Sequence, residues 1–186
     1  MERFIRYLES LTREDGRQDA AALAALRRGL SGPPGSEPAM FPYILPQLTQ
    51  EEQERHLPTY CLVASLYAFH PQTDREGNLG AHLRRAGFDE NDLEKVSPAV
   101  ERRFISLLRA HPDDLPDYLR QAISLLKSKE RPVNWRQLLK DLLLLEHDPS
   151  RVQREWARGF WGAARAEAIS NEEPESEEQT PYLEEK

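Results

Sequence analysis

The amino-acid sequence predicts an all-α protein: about eight to nine helices in one or two small helical bundles, then a disordered acidic C-terminal tail. Three observations carry that expectation. No sustained period-two alternation, and no hairpin dipeptide between β-branched runs, occurs in the 186 residues. Apolar residues recur instead at three- and four-residue spacing. Residues whose side-chain oxygens meet free helix amides stand in front of several of these runs.

The elements follow in order. In "ERFIRYLESL", Phe4, Ile5, Leu8 and Leu11 share one face, and Gly16 is expected to end the helix. "QDAAALAALRRGL" is rich in the strong helix formers Ala and Leu and stops at "SGPPG". Residues 31–46 hold five prolines and two glycines and read as a long loop. From Thr49, "TQEE" is a capping box, with Glu52 answering the Thr oxygen. Pro58 is expected to divide this helix from "PTYCLVASLYAFH", which is apolar nearly all round and reads as the central buried helix. Pro71 and "DREGNLG" break it, and the short helix "LGAHLRRAG" follows.

The second half starts near Pro98. "PAVERRFISLLRAH" buries Val100, Phe104, Leu107 and Leu108 and turns Arg102 and Arg109 to the opposite face. "LPDYLRQAISLLKSK" buries Leu115, Leu119, Ala122, Ile123 and Leu126, with Arg120 and Lys127 on one flank. "NWRQLLKDLLLLEH" opens on Asn134 as cap. The last helix opens on Asp148 as cap with Pro149 at its first position. The expected organisation is an N-terminal bundle over residues 1–97, a C-terminal bundle with a basic surface over 98–169, and a tail over 170–186.

Charge is unevenly spread. The net of −7 is mostly the tail, whose "SNEEPESEEQTPYLEEK" holds seven Glu and one Lys. Residues 102–165 hold 13 basic and 8 acidic residues. Twenty of the basic residues in the chain are Arg and five are Lys, and the planar guanidinium fork suits phosphate. In "RVQREWARGFWGAAR", Arg151, Arg154, Arg158 and Arg165 fall within a sector of about 60° on a helical wheel. Val152, Trp156 and Phe160 lie nearly opposite. Turns spaced by ~5.4 Å approach the phosphate spacing of an extended strand. With Arg102 and Arg109, Arg120 and Lys127, and the loop "KSKERP" carrying Arg131, basic flanks from successive helices are expected to converge in one groove that attracts a polyanion. The acidic tail is expected to compete for such a groove. Trp135, Trp156 and Trp161 read as core packing first and as base-stacking platforms second.

Other chemistry finds little support. The five histidines are scattered, and no CxxC, P-loop, GxGxxG or GxSxG occurs, so no cofactor, metal site or catalytic centre is expected. Asp141 and Glu146 stand amid basic surface, yet nothing in the sequence assembles them with a second carboxylate pair. The single cysteine, Cys61, lies in an apolar run and reads as an inert buried thiol. No charge-free run approaches the ~20 residues that cross a membrane, and no apolar signal core follows Met1, so a cytoplasmic location is expected.

Several segments carry a resemblance: "ALRRGL" (25–30), "LYAFHP" with "GNLG" (66–80), "ERRFISLLRAHPDDLPDYLRQAISLL" (101–126), and "VNWRQLLKDLLLL" followed by "VQREWARGFW" (133–161). In this order they resemble CasB, the small subunit of the type I-E CRISPR Cascade complex. The resemblance implies a helical fold of two bundles without catalytic activity. It implies a subunit that sits as a pair in an RNA-guided complex, against a CasA-like large subunit and CasC-like backbone subunits. Contact with crRNA and target DNA would help hold the heteroduplex and the displaced strand. Carried over by position, the contacts would be Arg27, Arg28, Arg102, Arg103, Arg109, Arg120 and Lys127. Arg151, Arg154 and Arg158 are added by the stripe read above, and Arg131 by its loop. The alternative is a helical protein–protein interaction module with no direct nucleic-acid contact.

Overall fold

The computed structural model describes residues 1–12, 19–89 and 92–162. Nine α-helices lie among them: α1 (Glu2–Ser10), α2 (Ala20–Arg28), α3 (Phe41–Ile44), α4 (Gln50–Phe69), α5 (Leu79–Gly87), α6 (Pro98–Leu108), α7 (Leu115–Ser128), α8 (Trp135–Leu145) and α9 (Pro149–Ala157). The α-helical class is thus as the sequence predicts. One small exception is an antiparallel pair, β1 (Phe88–Asp89) and β2 (Asp92–Val96), in the register Phe88 to Val96 and Asp89 to Asp92. The tail at 170–186, Gly16 and Arg165 lie outside the described residues.

Local chemistry sets the helix starts. The Thr49–Glu52 capping box forms in both directions at α4. Asp19, Asn78, Asn134 and Asp148 each accept an amide three residues on, at the starts of α2, α5, α8 and α9. Two expectations are corrected. Residues 31–46 are not a plain loop: short 3-10 turns at Pro38–Met40 and Leu45–Gln47 flank α3, each of the three with a proline in its first two positions, where the missing amide costs nothing. Met40 and Ile44 are fully buried from this segment. Pro58 does not divide a helix; α4 runs through it for 20 residues. Nine consecutive residues, Tyr60–Ala68, are buried beyond the proline, and that burial outweighs the ~3 kcal/mol a helix-interior proline costs.

Helix α4 is the axis. α2, α8 and α7 pack around it, α1 packs on α8, and α5 packs against α6, α7 and α9. One hydrophobic cluster runs from Phe4 through Tyr67, Leu83, Phe104 and Trp135 to Phe160. It is continuous across residues 97–98, the expected boundary between two bundles. The segment after α4 strengthens that continuity. Thr73 bridges Val133 in parallel, Val133 donates its amide to Gln72 O at 3.1 Å, and the Trp135 indole donates to the same carbonyl at 3.1 Å.

The C-terminal end of α9 widens into a π-turn at Arg158–Gly162. Its carbonyls are drawn off by α5: Asn78 Nδ2 donates to Glu155 O at 2.8 Å and Arg84 Nη1 to Phe160 O at 3.2 Å. Outside donors of this kind interrupt the regular helical ladder.

Candidate nucleic-acid interface

The candidate cations occupy three kinds of place, distinguished by the groups each one meets. The first is the groove between α6 and α7. Arg102 and Arg103 leave the exposed side of α6 because Val100, Phe104 and Leu107 anchor the other side in the core. One concavity is lined by Arg102, Arg103, Ser106, Tyr118 and Gln121. The next, of about 470 Å³, shares Arg103 and Gln121 with it and adds Arg120, Ser124 and Ser128. Arg120 also borders a third, against Pro33, Pro34 and Asp117. The result is a line of shallow hollows along α7.

Electrostatically this groove is open. Arg102 and Arg103 are exposed and have no ion-pair partner among the described residues. Arg120 is part-neutralised, with Nη1 2.9 Å from Asp117 Oδ1. Its Nε is buried and without a hydrogen-bond partner among the described residues. A buried donor left unmade is costly, so this guanidinium keeps hydrogen-bonding capacity that Asp117 does not fill. Tyr118, Gln121, Ser124 and Ser128 escape a sequence reading that follows charge alone. The polar stripe Arg120–Ser124–Lys127–Ser128 at helical spacing is the available signal.

The second place is the C-terminal end of α4. Arg27 donates Nε and Nη2 to Ala68 O at 3.2 and 2.9 Å. Lys127 donates Nζ to Phe69 O at 2.8 Å and lies 3.9 Å from the Phe69 ring centroid. His70, two per cent exposed, meets Arg131 O at 2.7 Å through Nε2. Burial, with Lys127 adding to it, holds the His70 pKa below its ordinary value against the pull of that hydrogen bond. These cations complement the negative end of the longest helix. Arg28 and Arg131 are exposed nearby in sequence, their side chains unpaired among the described residues.

The third is α9. Val152, Trp156 and Phe160 are buried as the wheel requires, and Arg151, Arg154 and Arg158 are exposed. Arg158 pairs with Glu155 at 2.9 Å, a surface pair of little weight. Arg109, at the end of α6, is exposed and unpaired among the described residues. Of the tryptophans, Trp135 and Trp156 are core. Trp161 is 38% exposed and donates Nε1 to Glu101 Oε1 at 2.9 Å.

The two acids considered for catalysis have structural partners. Asp141 is buried, accepting from Trp156 Nε1 at 2.6 Å and Gln137 Nε2 at 2.7 Å. Burial pushes its pKa up, against those two hydrogen bonds. Glu146 accepts from Thr59 at 2.8 Å and meets His56 Nδ1 at 2.7 Å. No group of metal-ligating side chains occurs among the described residues. Burial raises the Cys61 thiol to about 11, so it stays protonated. No described helix is long and apolar enough to cross a membrane.

A separate apolar cavity of about 460 Å³ lies between α4, α6, α7, α8 and α9. Leu62, Leu107, Leu142, Leu145, Pro116 and Trp156 line much of it. Nothing in the sequence signals it, because its walls come from five helices.

A family model described as CRISPR-associated protein Cse2 matches residues 22–161. The chain belongs to the Cse2 family of CRISPR-associated proteins. The Cse2 protein of Thermus thermophilus is 37% identical over 177 residues, 92% of this chain and 97% of the relative. The crystal structure of M. ruber CasB matches at 32% identity with a TM-score of 0.69, covering 90% of this chain and 96% of that one. A chain of a "CRISPR RNA-guided surveillance complex, pre-nicking" shares the fold, with a TM-score of 0.72 at 24% identity over 92% of this chain and 97% of that one. The resemblance to CasB read from the residues is therefore correct. All eleven candidate cations fall inside the Cse2 match, and the acidic tail lies beyond it.

Proposed function

We propose that this Cse2-family chain is the non-catalytic small subunit of a Cascade-type, RNA-guided surveillance complex in antiviral defence, acting in the cytoplasm. Its α6–α7 groove holds the nucleic-acid backbone, steadying the crRNA–target heteroduplex and the displaced strand. The observation that carries this reading is the pair of unneutralised guanidiniums, Arg102 and Arg103, sharing a groove with Arg120 and a line of neutral polar side chains. Arginines in that setting take phosphate without reading sequence. Exchange of a DNA duplex for an RNA–DNA duplex is nearly balanced, so a few backbone contacts tip it. A CasA-like large subunit, CasC-like backbone subunits and a second copy of this chain are the expected neighbours. Repetition along the complex would turn weak single grooves into firm binding.

Fluorescence anisotropy of labelled single-stranded DNA and of an RNA–DNA hybrid tests the groove, at salt from about 50 to about 200 mM. Each lost phosphate contact lowers the slope of log K against log salt by about 0.7–0.9. Combining Arg102→Ala, Arg103→Ala and Arg120→Ala should flatten the slope by about 2 and weaken low-salt binding at least tenfold. Equal affinity and equal slope in the variant would reject the groove.

A second reading rests on the apolar cavity: a helical interaction module that docks partner proteins and does not touch nucleic acid. An apolar hollow of this size at the meeting of five helices fits a protruding side chain of a partner. That reading expects no salt-dependent binding to either ligand.

A further inference from the structure

The apolar cavity between α4, α6, α7, α8 and α9 has a wall that is rich in hydrogen-bond acceptors and poor in free donors. Five of its sixteen lining residues are prolines: Pro34, Pro58, Pro112, Pro116 and Pro149. Proline brings a carbonyl and no amide hydrogen. Pro58, Pro112 and Pro149 are exposed, so the hollow opens to the surface between them. The side-chain donors on the wall already bond within the protein. Thr59 donates to Glu146 Oε1 at 2.8 Å, Gln153 Nε2 to Leu108 O at 2.9 Å, and the Trp156 indole to Asp141.

Glu146 is the only charged side chain among the described residues that line the cavity. It sits at the end of α8 and is 35% exposed. Thr59 and His56 take two of the roughly four acceptor sites of a carboxylate, so capacity remains. Past Pro34 and Pro116, which border both, the cavity adjoins a hollow that holds Asp113, Asp117 and Arg120. Arg120 pairs there with Asp117, and His111 lies 3.4 Å from Asp113. Arg109 stands between the lining residues Leu108 and Ala110 but does not itself line the cavity.

We propose that this cavity takes up a segment of a partner polypeptide that carries a bulky apolar side chain beside a lysine or arginine. The apolar group fills the hollow and the cation meets Glu146. This rests on the second reading's use of the cavity as a docking site, and on nothing about the α6–α7 groove. Leu108, Leu115, Pro116 and Leu145 are half-buried, so a side chain seated there removes apolar surface of both partners from water. A partner's cation supplies the donor that the wall lacks, and a partner's carboxylate meets like charge. A free small ligand is told apart by several convergent polar groups. One carboxylate on an aliphatic wall reads only a side chain's bulk and its neighbour's charge.

The test titrates the full-length chain, labelled with nitrogen-15, with four blocked dipeptide amides: acetyl-Phe-Lys, acetyl-Phe-Gln, acetyl-Phe-Glu and acetyl-Ala-Lys. The readout is the Trp156 indole N–H resonance, because Trp156 lines the cavity while Trp135 and Trp161 do not and serve as references. Phe-Lys should move the Trp156 signal and leave the other two in place. It should bind about three- to fivefold tighter than Phe-Gln at low salt, with Phe-Glu weakest, and the gap should close as salt rises. Ala-Lys should bind at least tenfold more weakly than Phe-Lys, roughly what loss of a buried aromatic ring removes. Glu146→Gln, which keeps the shape, should erase the preference for Lys and leave the affinity for Phe-Gln unchanged. Ala110→Trp, which fills the hollow from the loop after α6, should abolish all binding.

Equal binding of Phe-Lys, Phe-Gln and Phe-Glu at Trp156 would overturn the proposal while leaving the cavity a docking site. Failure of all four to move Trp156 would overturn both. Ala-Lys binding as well as Phe-Lys would reduce the effect to surface charge and overturn the proposal. Sedimentation velocity is run alongside: self-association that Ala110→Trp abolishes would give the cavity to a second copy of the chain and overturn it as well.

Discussion

Arg27 and Lys127 show how much one side chain's role depends on what it meets. Both are exposed, and position alone groups both with the nucleic-acid contacts. Each instead directs hydrogen bonds to a carbonyl at the end of α4, Ala68 for Arg27 and Phe69 for Lys127. Hydrogen bonds from a cation to a helix's last carbonyls are worth about 1 kcal/mol. Arg27→Ala should therefore lower the melting temperature by about 2–4 °C, the shift that 1 kcal/mol gives a chain of this size. Arg102→Ala should leave it unchanged, because its exposed guanidinium makes no hydrogen bond or ion pair among the described residues. Thermal denaturation of the two single variants separates structural from interfacial arginines before any ligand is added. Helical wheels place Arg27 and Lys127 on the surface. They cannot place Ala68 under one and Phe69 under the other, 41 and 58 residues away in sequence.

Among the elements, those legible in the sequence begin and end by local rules. The caps at Thr49, Asn134 and Asp148 are set by residues within one turn, and all three form as the sequence implies. The buried faces of α6, α7 and α9 follow from three- and four-residue spacing for the same reason. What was not legible is settled by packing: α4 continuing through Pro58, the short helices after residue 37, and the π-turn after α9. Likewise the groove's three arginines could each be placed on a helix face, but their sharing of hollows needed the α6–α7 packing. The α5–α9 contact is the sharpest case. Gly80 lies inside a helix, where glycine is a poor choice by propensity. A Cβ built there would stand 1.9 Å from the Trp156 carbonyl oxygen, and one on Gly159 would stand 2.1 Å from Asn78 Oδ1. Both glycines permit close approach of the two elements. Gly80→Ala should push α5 from α9 and cost about 3 kcal/mol, well beyond the gain in helix propensity. Chemical denaturation checks the loss, and an unchanged midpoint would show that the helices separate without penalty.

For the whole molecule, the seam between the two halves decides how it unfolds. The hydrophobic cluster crosses residues 97–98 without a gap. Buried histidines of the first half fasten the second: His82 Nε2 accepts the Asn134 amide at 3.0 Å, and His70 reaches Arg131 O. One cooperative transition is expected, so calorimetry should show a single peak; two would mean the halves fold apart. The same seam sets the response to acid. Burial, aided by the Arg85 charge and opposed by Asp74, pulls His82 down to about 4, and His70 is lowered as well. An unfolded histidine titrates near 6.5. The unfolded chain therefore binds more protons than the folded one between those values, and stability is lost as the pH is lowered across that window. Above about 6.5 both states hold these histidines neutral and their contribution is complete. Each contributes a slope of at most about 1.4 kcal/mol per pH unit. Protonating His82 also removes the lone pair that receives the Asn134 amide, so the loss falls on the joint itself. The melting temperature should hold near neutrality and drop steadily from about pH 6.5 towards 4. His82→Gln should flatten that drop at the cost of a lower starting point. A variant that falls as steeply as the wild-type chain would place the acid sensitivity in other groups.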